Sequence, residues 1–169
     1  MEINDKIRTV SIIGSGNVAT GIGSALFSAG TEIVNIYSRN QENAQTLANK
    51  VNAVAITNIS DLKNNTDLCI IAVPDDSIAS ISDQIKNFEG IVVHTSGTKP
   101  LSVLDNQLRY GVFYPLQSMT ISRIPKFDNI PLCIEGSDTA TSNQLKSLGE
   151  KISNNVVNIE SDQRQYLHM

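Results

Sequence analysis

Short apolar runs of strand length alternate along the chain with stretches in which apolar residues recur at helical spacing. The first helical stretch places Val18, Ile22 and Leu26 on one face and ends at Gly30. Further helices are predicted around residues 44–51 and 78–85. The predicted strands cover residues 7–13, 31–37, 53–56, 68–73, 91–94 and 112–114.

This alternation predicts a doubly wound, mostly parallel sheet with helices on both faces, which is a three-layer α/β/α Rossmann fold. Residues 131–134, 139–148 and 156–159 predict a further strand, helix and strand that extend the same sheet. We therefore expect one nucleotide-binding domain over residues 1–160. Residues 161–169 begin a helix that is too short to be stable alone, so we expect it to lead into a second domain that this chain lacks.

Composition narrows the classes of function. The chain has 169 residues and a net charge of −4, and its Lys and Arg residues are scattered singly. This distribution argues against binding to nucleic acid or to a membrane surface. No secretory leader or membrane-spanning run is visible, so we expect a cytoplasmic protein. Cys69 and Cys133 lie in apolar runs and are expected as reduced core thiols, and the lack of a Cys/His cluster argues against a metal site.

The first strand and first helix are joined by Gly14-Ser15-Gly16-Asn17-Val18-Ala19, which fits the dinucleotide-binding pattern G-x-G-x-x-G/A. Gly14 permits a tight turn, and Gly16 lets a pyrophosphate approach the backbone. Ala19 allows close packing of the helix on the strand. The helix N-terminus then favours the anion. The alternative is a glycine turn without a ligand.

The end of the second strand discriminates between cofactors. NAD-binding domains usually place an acidic residue there to bind the ribose 2′-hydroxyl, whereas this chain has Ser38 and Arg39. A guanidinium can bind a 2′-phosphate through two hydrogen bonds, and a serine can donate another. We therefore expect NADP, the alternative being a surface arginine without a ligand. The missing acidic residue also argues against a methyltransferase.

Ligands of open α/β sheets bind outside the carboxyl ends of the strands. Ala72, Val73 and Pro74 follow the fourth strand and could line the ribose and nicotinamide side. Asp75 or Asp76 is interpreted as the cap of the next helix.

Small polar residues follow the fifth and sixth strands. His94 could donate a proton to a carbonyl or imine, or it could be a histidine hydrogen-bonded for structural reasons. Ser96 could hold a substrate carbonyl or carboxylate. Tyr114 and Gln117 are similar polar candidates, and His168 could face a site that is completed elsewhere. We therefore select His94, Ser96 and Tyr114 as catalytic candidates.

Six motifs of this chain form a recognisable set. In chain order they are Gly14 to Ala19, Tyr37-Ser38-Arg39, Ala72 to Asp76, His94 to Gly97, Tyr114-Pro115-Leu116-Gln117 and Arg164 to His168. In this order they resemble a bacterial family of candidate NADP oxidoreductases that pair a Rossmann-like domain with a C-terminal helical domain of unknown function. The broader group resembles pyrroline-5-carboxylate reductase, ketopantoate reductase and prephenate dehydrogenase. The last of these has His-Pro-Met where this chain has Tyr114-Pro115-Leu116, so the role of that histidine does not carry over directly.

The resemblance implies an NADP-dependent oxidoreductase that transfers a hydride between nicotinamide and a small carbonyl, imine or hydroxy acid. It also implies a homodimer formed through the C-terminal domain of the longer protein, which helps to build the substrate site. This chain alone would then hold the cofactor but only part of the active site. The alternative function is a non-catalytic NADP-binding sensor or regulatory module.

Overall fold

The computed structural model describes residues 6–120 and 126–168. The described residues form one sheet with the strand order β3-β2-β1-β4-β5-β6-β7-β8. Its strands are β1 (Thr9–Ile13), β2 (Glu32–Tyr37), β3 (Val54–Ile56), β4 (Leu68–Ile71), β5 (Ile91–His94), β6 (Arg109–Pro115), β7 (Leu132–Gly136) and β8 (Val156–Asn158). The α-helices are α1 (Asn17–Ser28), α2 (Gln41–Val51), α3 (Ile78–Gln84), α4 (Thr139–Glu150) and α5 (Ser161–His168).

The sheet confirms the predicted doubly wound fold. All neighbouring strands are parallel except β6 and β7, which pair antiparallel with Phe113 opposite Ile134. A parallel connection requires a long crossover, usually a helix. The described residues between β6 and β7 contain only the short 3-10 turn Phe127–Asn129. The chain accordingly turns back beside β6 before α4 carries it to the edge strand β8.

Two apolar clusters cover the two faces of the sheet. The buried strand β4 shows the division, because Leu68 and Ile70 belong to one cluster whereas Cys69 and Ile71 belong to the other. Alternate residues of a strand point to opposite faces, so a strand buried on both faces is apolar throughout. Helices α1, α2 and α4 pack on the first face, and α3 packs on the second.

The boundaries differ from the predictions mainly at strand ends. β4 ends at Ile71 rather than at residue 73, and β6 begins at Arg109, three residues before the predicted start. The predicted domain limits at residues 1 and 169 lie outside the described residues. Both cysteines are buried and unpaired, as expected. No helix in the described ranges is long and apolar enough to cross a membrane.

Candidate active site

A groove of about 1200 Å³ crosses the carboxyl ends of the central strands. It begins at the β1–α1 loop, passes the ends of β2, β4 and β5, and reaches the end of β6 and the last turn of α5. The strand order reverses between β1 and β4, which is where open α/β sheets bind ligands. We call this feature the nucleotide groove.

The β1–α1 loop leaves its backbone open to the groove. Gly14 has a φ of 126°, and a Cβ atom there would overlap the carbonyl oxygen of Ala72, so only glycine fits this turn. A Cβ at Gly16 would meet no heavy atom within 4 Å, which leaves space over the loop. No side chain caps the N-terminus of α1 at Gly16. The uncapped N–H groups and the open surface fit an anionic pyrophosphate.

Ser38 and Arg39 line the groove immediately after β2. The Ser38 hydroxyl accepts hydrogen bonds from Ser15 Oγ at 3.0 Å and from the Asn40 backbone N–H at 3.2 Å. Its own hydrogen therefore remains available for an acceptor in the groove. Arg39 is exposed beside it, and Asn40 caps α2 by accepting from the Asn43 N–H. A guanidinium, a hydroxyl and a helix N-terminus thus face the same end of the groove.

Ala72, Val73 and Pro74, which follow β4, line the middle of the groove. The interpretation of Asp75 or Asp76 as a helix cap is wrong. No side chain caps either the 3-10 turn Asp75–Ser77 or the helix α3 that follows it. The Asp75 carboxylate instead accepts a hydrogen bond from the Thr98 hydroxyl at 2.6 Å. This bond ties the loop after β4 to the loop after β5.

His94 is fully buried at the end of β5 and does not line the groove. Its Nε2 lies 3.1 Å from the Pro100 carbonyl oxygen, and its Nδ1 accepts from the Ser96 N–H at 3.0 Å. Burial lowers the pKa of His94 to about 4, so the ring is neutral near pH 7. These contacts favour the structural alternative for His94 over its selection as a proton donor, because both ring nitrogens are engaged.

Ser96 has a similar local role. Its hydroxyl accepts from the backbone N–H groups of Thr98 at 3.1 Å and Lys99 at 2.9 Å. These bonds fold the loop after β5 into a tight turn. Ser96 also borders the groove but is only 6% exposed. Its hydroxyl therefore stabilises the loop that lines the groove, and little of it is accessible to a ligand.

Tyr114 lines the groove and is the most exposed of the three catalytic candidates. It is half-buried at the end of β6, and its hydroxyl lies 2.7 Å from Nδ1 of His168 on α5. The two rings meet edge to face, with centroids 5.8 Å apart. Burial raises the pKa of the Tyr114 phenol, so it keeps its proton at neutral pH. Gln117 also lines this end of the groove.

Helix α5 is held in place by Arg164, which the sequence analysis placed in a motif without giving it a structural role. The Arg164 side chain is fully buried and pairs with the Glu135 carboxylate at 2.6 Å. It also donates to the backbone carbonyls of Ser96 at 3.1 Å and Lys99. Glu135 further accepts from the Ser161 hydroxyl. No sequence signal marked these contacts, because α5 is polar and its only described buried residue is charged.

The fold and the groove together define a dinucleotide-binding domain of the Rossmann class. Residues 9–96, just over half of the chain, match the family described as "NADP oxidoreductase coenzyme F420-dependent". The chain belongs to this family. A search of curated proteins found no match.

Solved structures agree with this assignment. A Bacteroides fragilis protein described as a candidate NADP oxidoreductase is 35% identical, with a TM-score of 0.92, and the match covers 97% of this chain and 64% of that one. Protein TM1727 of Thermotoga maritima is 22% identical with a TM-score of 0.75, covering 94% and 61%. Prephenate dehydrogenase from A. aeolicus is 15% identical with a TM-score of 0.82, covering 96% and 63%. The last two likenesses concern the fold. The chain spans less than two thirds of each of these structures.

Proposed function

We propose that this chain is the NADP-binding part of an oxidoreductase that moves a hydride between nicotinamide and a small carbonyl, imine or hydroxy acid. When bound, NADP(H) supplies or accepts the hydride. The family description names both NADP and coenzyme F420. The observation that supports NADP is the pairing of Arg39 with an available Ser38 hydroxyl where NAD-binding domains carry a carboxylate.

The residues of the groove have distinct tasks in this proposal. The open backbone from Gly14 to Val18 holds the pyrophosphate, and Arg39 and Ser38 hold the 2′-phosphate. Val73 and Pro74 line the side on which the nicotinamide would lie. Tyr114 stands at the far end as the proton donor to the developing alkoxide or amine. A substrate site completed by a further domain, and a dimer built through it, belong to the same proposal.

The test of cofactor choice is a titration of this chain with NADPH and NADH. One charge-assisted contact is worth roughly 1.5–3 kcal/mol, or about 10- to 100-fold in affinity. We expect wild type to prefer NADPH by that factor and Arg39→Ala to lose most of the preference. Arg8→Ala is the matched control, because Arg8 is an exposed arginine outside the groove. Equal affinities of wild type for the two nucleotides would overturn the assignment of NADP.

The alternative of a non-catalytic sensor is favoured by one observation: His94 and Ser96 are both engaged in structural hydrogen bonds. The two functions are separated by NADPH oxidation, followed by absorbance, across a panel of keto acids and cyclic imines. This assay requires a protein of the relatives' full length. Turnover that falls strongly in Tyr114→Phe supports the reductase, whereas tight NADPH binding without turnover of any substrate supports the sensor.

A further inference from the structure

Three elements that are distant in sequence converge on the hydroxyl of Tyr114. The tyrosine lies at the end of β6, Gly97 lies in the loop after β5, and His168 is in the last turn of α5. All three border the nucleotide groove. The histidine contacts the tyrosine both through the 2.7 Å hydrogen bond and through the edge-to-face ring contact, so its position depends on more than one interaction.

Gly97 leaves the space in which the two rings meet. A Cβ on this residue would overlap Nδ1 of His168 and lie 2.8 Å from Cζ of Tyr114. The φ of Gly97 lies outside the left-handed region, so the backbone could accommodate an alanine. The obstacle to an alanine is the overlap of its Cβ with the two rings. The glycine is therefore explained by the tyrosine–histidine pair, and not by the course of the loop.

The placement of His168 is fixed by the core of the domain. Arg164 lies one helical turn before it on α5 and is fully buried among Glu135, Ser96 and Lys99. Residues four apart share one face of a helix. The anchor that docks α5 consequently directs His168 back over the groove, although the imidazole itself remains exposed.

We propose that His168 is a positioning residue for Tyr114: its Nδ1–H donates to the phenol oxygen and leaves the phenol proton directed at the substrate. This inference rests on the proposed function. In the reduction, the Tyr114 O–H bond breaks as the substrate oxygen or nitrogen takes the proton. The phenolate that remains keeps the hydrogen bond from His168, which stabilises its charge. A proton from solvent restores the phenol, since this end of the groove is open.

The experiment follows the ionisation of Tyr114 in this chain without substrate or cofactor. Tyrosine labelled with ¹³C at Cζ gives one resonance for each of the four tyrosines, and Tyr114→Phe identifies the relevant one. Loss of one hydrogen bond to a charged group corresponds to roughly a tenfold lower ratio of tyrosinate to tyrosine at fixed pH. We expect a decrease of this size in His168→Ala and a partial recovery in His168→Asn, whose amide can still donate.

Two further variants separate positioning from general damage to the helix. Gly97→Ala keeps the imidazole but displaces it, so it should lower the tyrosinate ratio as His168→Ala does. Tyr166→Phe changes an exposed residue on the same helix and should leave Tyr114 unaffected. Arg164 and Asp75, whose charges affect the pKa of Tyr114, are unchanged in every variant.

The outcomes are distinct from those of the cofactor test. Equal Tyr114 titrations in wild type, His168→Ala and Gly97→Ala would overturn the positioning role, even if the preference for NADPH holds. A decrease that His168→Asn does not relieve would also overturn it, because the hydrogen-bond donor would then not be the cause. Conversely, equal binding of NADPH and NADH would refute the assignment of NADP and leave the titration result intact.

Discussion

The ion pair between Arg164 and Glu135 carries the sharpest prediction about stability. The arginine side chain is 0% exposed and the glutamate 15% exposed, with Nη1 and Oε2 2.6 Å apart. Arg164→Met keeps much of the aliphatic stem but removes the charge and the hydrogen bonds to Ser96 and Lys99. Glu135 is then left partly buried without its cation.

Removing one partner of a buried ion pair costs about 3–5 kcal/mol. We expect the lower end, about 3 kcal/mol, because Glu135 retains some exposure and the hydrogen bond from Ser161. Glu135→Gln keeps an acceptor and should cost less. The double variant should be less destabilised than the sum of the two single variants, since each single change removes the same interaction.

Urea denaturation followed by far-ultraviolet circular dichroism suits this chain, which has no tryptophan. With a typical urea slope of 1–3 kcal/mol per molar, a loss of 3 kcal/mol lowers the midpoint by about 1–3 M. Arg8→Met controls for the loss of an exposed arginine. The reasoning is refuted if Arg164→Met stays within about 0.5 kcal/mol of wild type, the range of an ordinary surface substitution. Hydrogen exchange in α5 shows whether the helix undocks before the domain unfolds.

Four further predictions concern the groove and the core. Gly14→Ala should destabilise the domain by roughly 1–3 kcal/mol in urea denaturation because it strains the backbone. Gly16→Ala should preserve stability but weaken NADPH binding about tenfold in calorimetry, and unchanged binding would contradict pyrophosphate contact there. Burial lowers the pKa of His94 from 6.5 to about 4, so between these values the unfolded chain binds a proton that the folded chain excludes. Stability should therefore fall by about 3 kcal/mol more in wild type than in His94→Gln between pH 6.5 and pH 4; equal losses would refute this. Burial also raises the pKa of the Cys69 thiol, so disulfide reagents should modify it only after unfolding, and rapid modification of the native protein would contradict this burial.

The parts of the fold that repeat a simple pattern could be predicted from the sequence. Period and length identify β1, α1, β4 and β5, and the glycine loop locates one end of the groove. The direction of β7 could not be predicted, because an apolar run has the same pattern whether its neighbour is parallel or antiparallel.

The candidate site, like the fold, could be predicted from the sequence only in part. Ser38 and Arg39 are adjacent to a recognisable strand end, so the sequence could indicate that they lie at the ligand-binding edge of the sheet, where they line the groove. The sequence left a structural and a catalytic role for His94 both open, because its hydrogen-bond partners are backbone groups of the following loop and carry no sequence signal. The contact of Tyr114 with His168 joins residues 54 positions apart. It depends on a buried arginine that resembles a solvent-exposed one in the sequence.

The docking of α5 also sets an order of assembly during synthesis. The carbonyl groups of Ser96 and Lys99 receive hydrogen bonds from a residue made 68 and 65 positions later. A nascent chain that has formed the central strands therefore already carries Gly14 to Val18, Ser38 and Arg39, the residues proposed to hold the phosphates, all encoded before position 40. The turn after β5 gains its buried partner only when Arg164 leaves the ribosome. The end of the groove where chemistry would occur is thus the last part of this domain to mature.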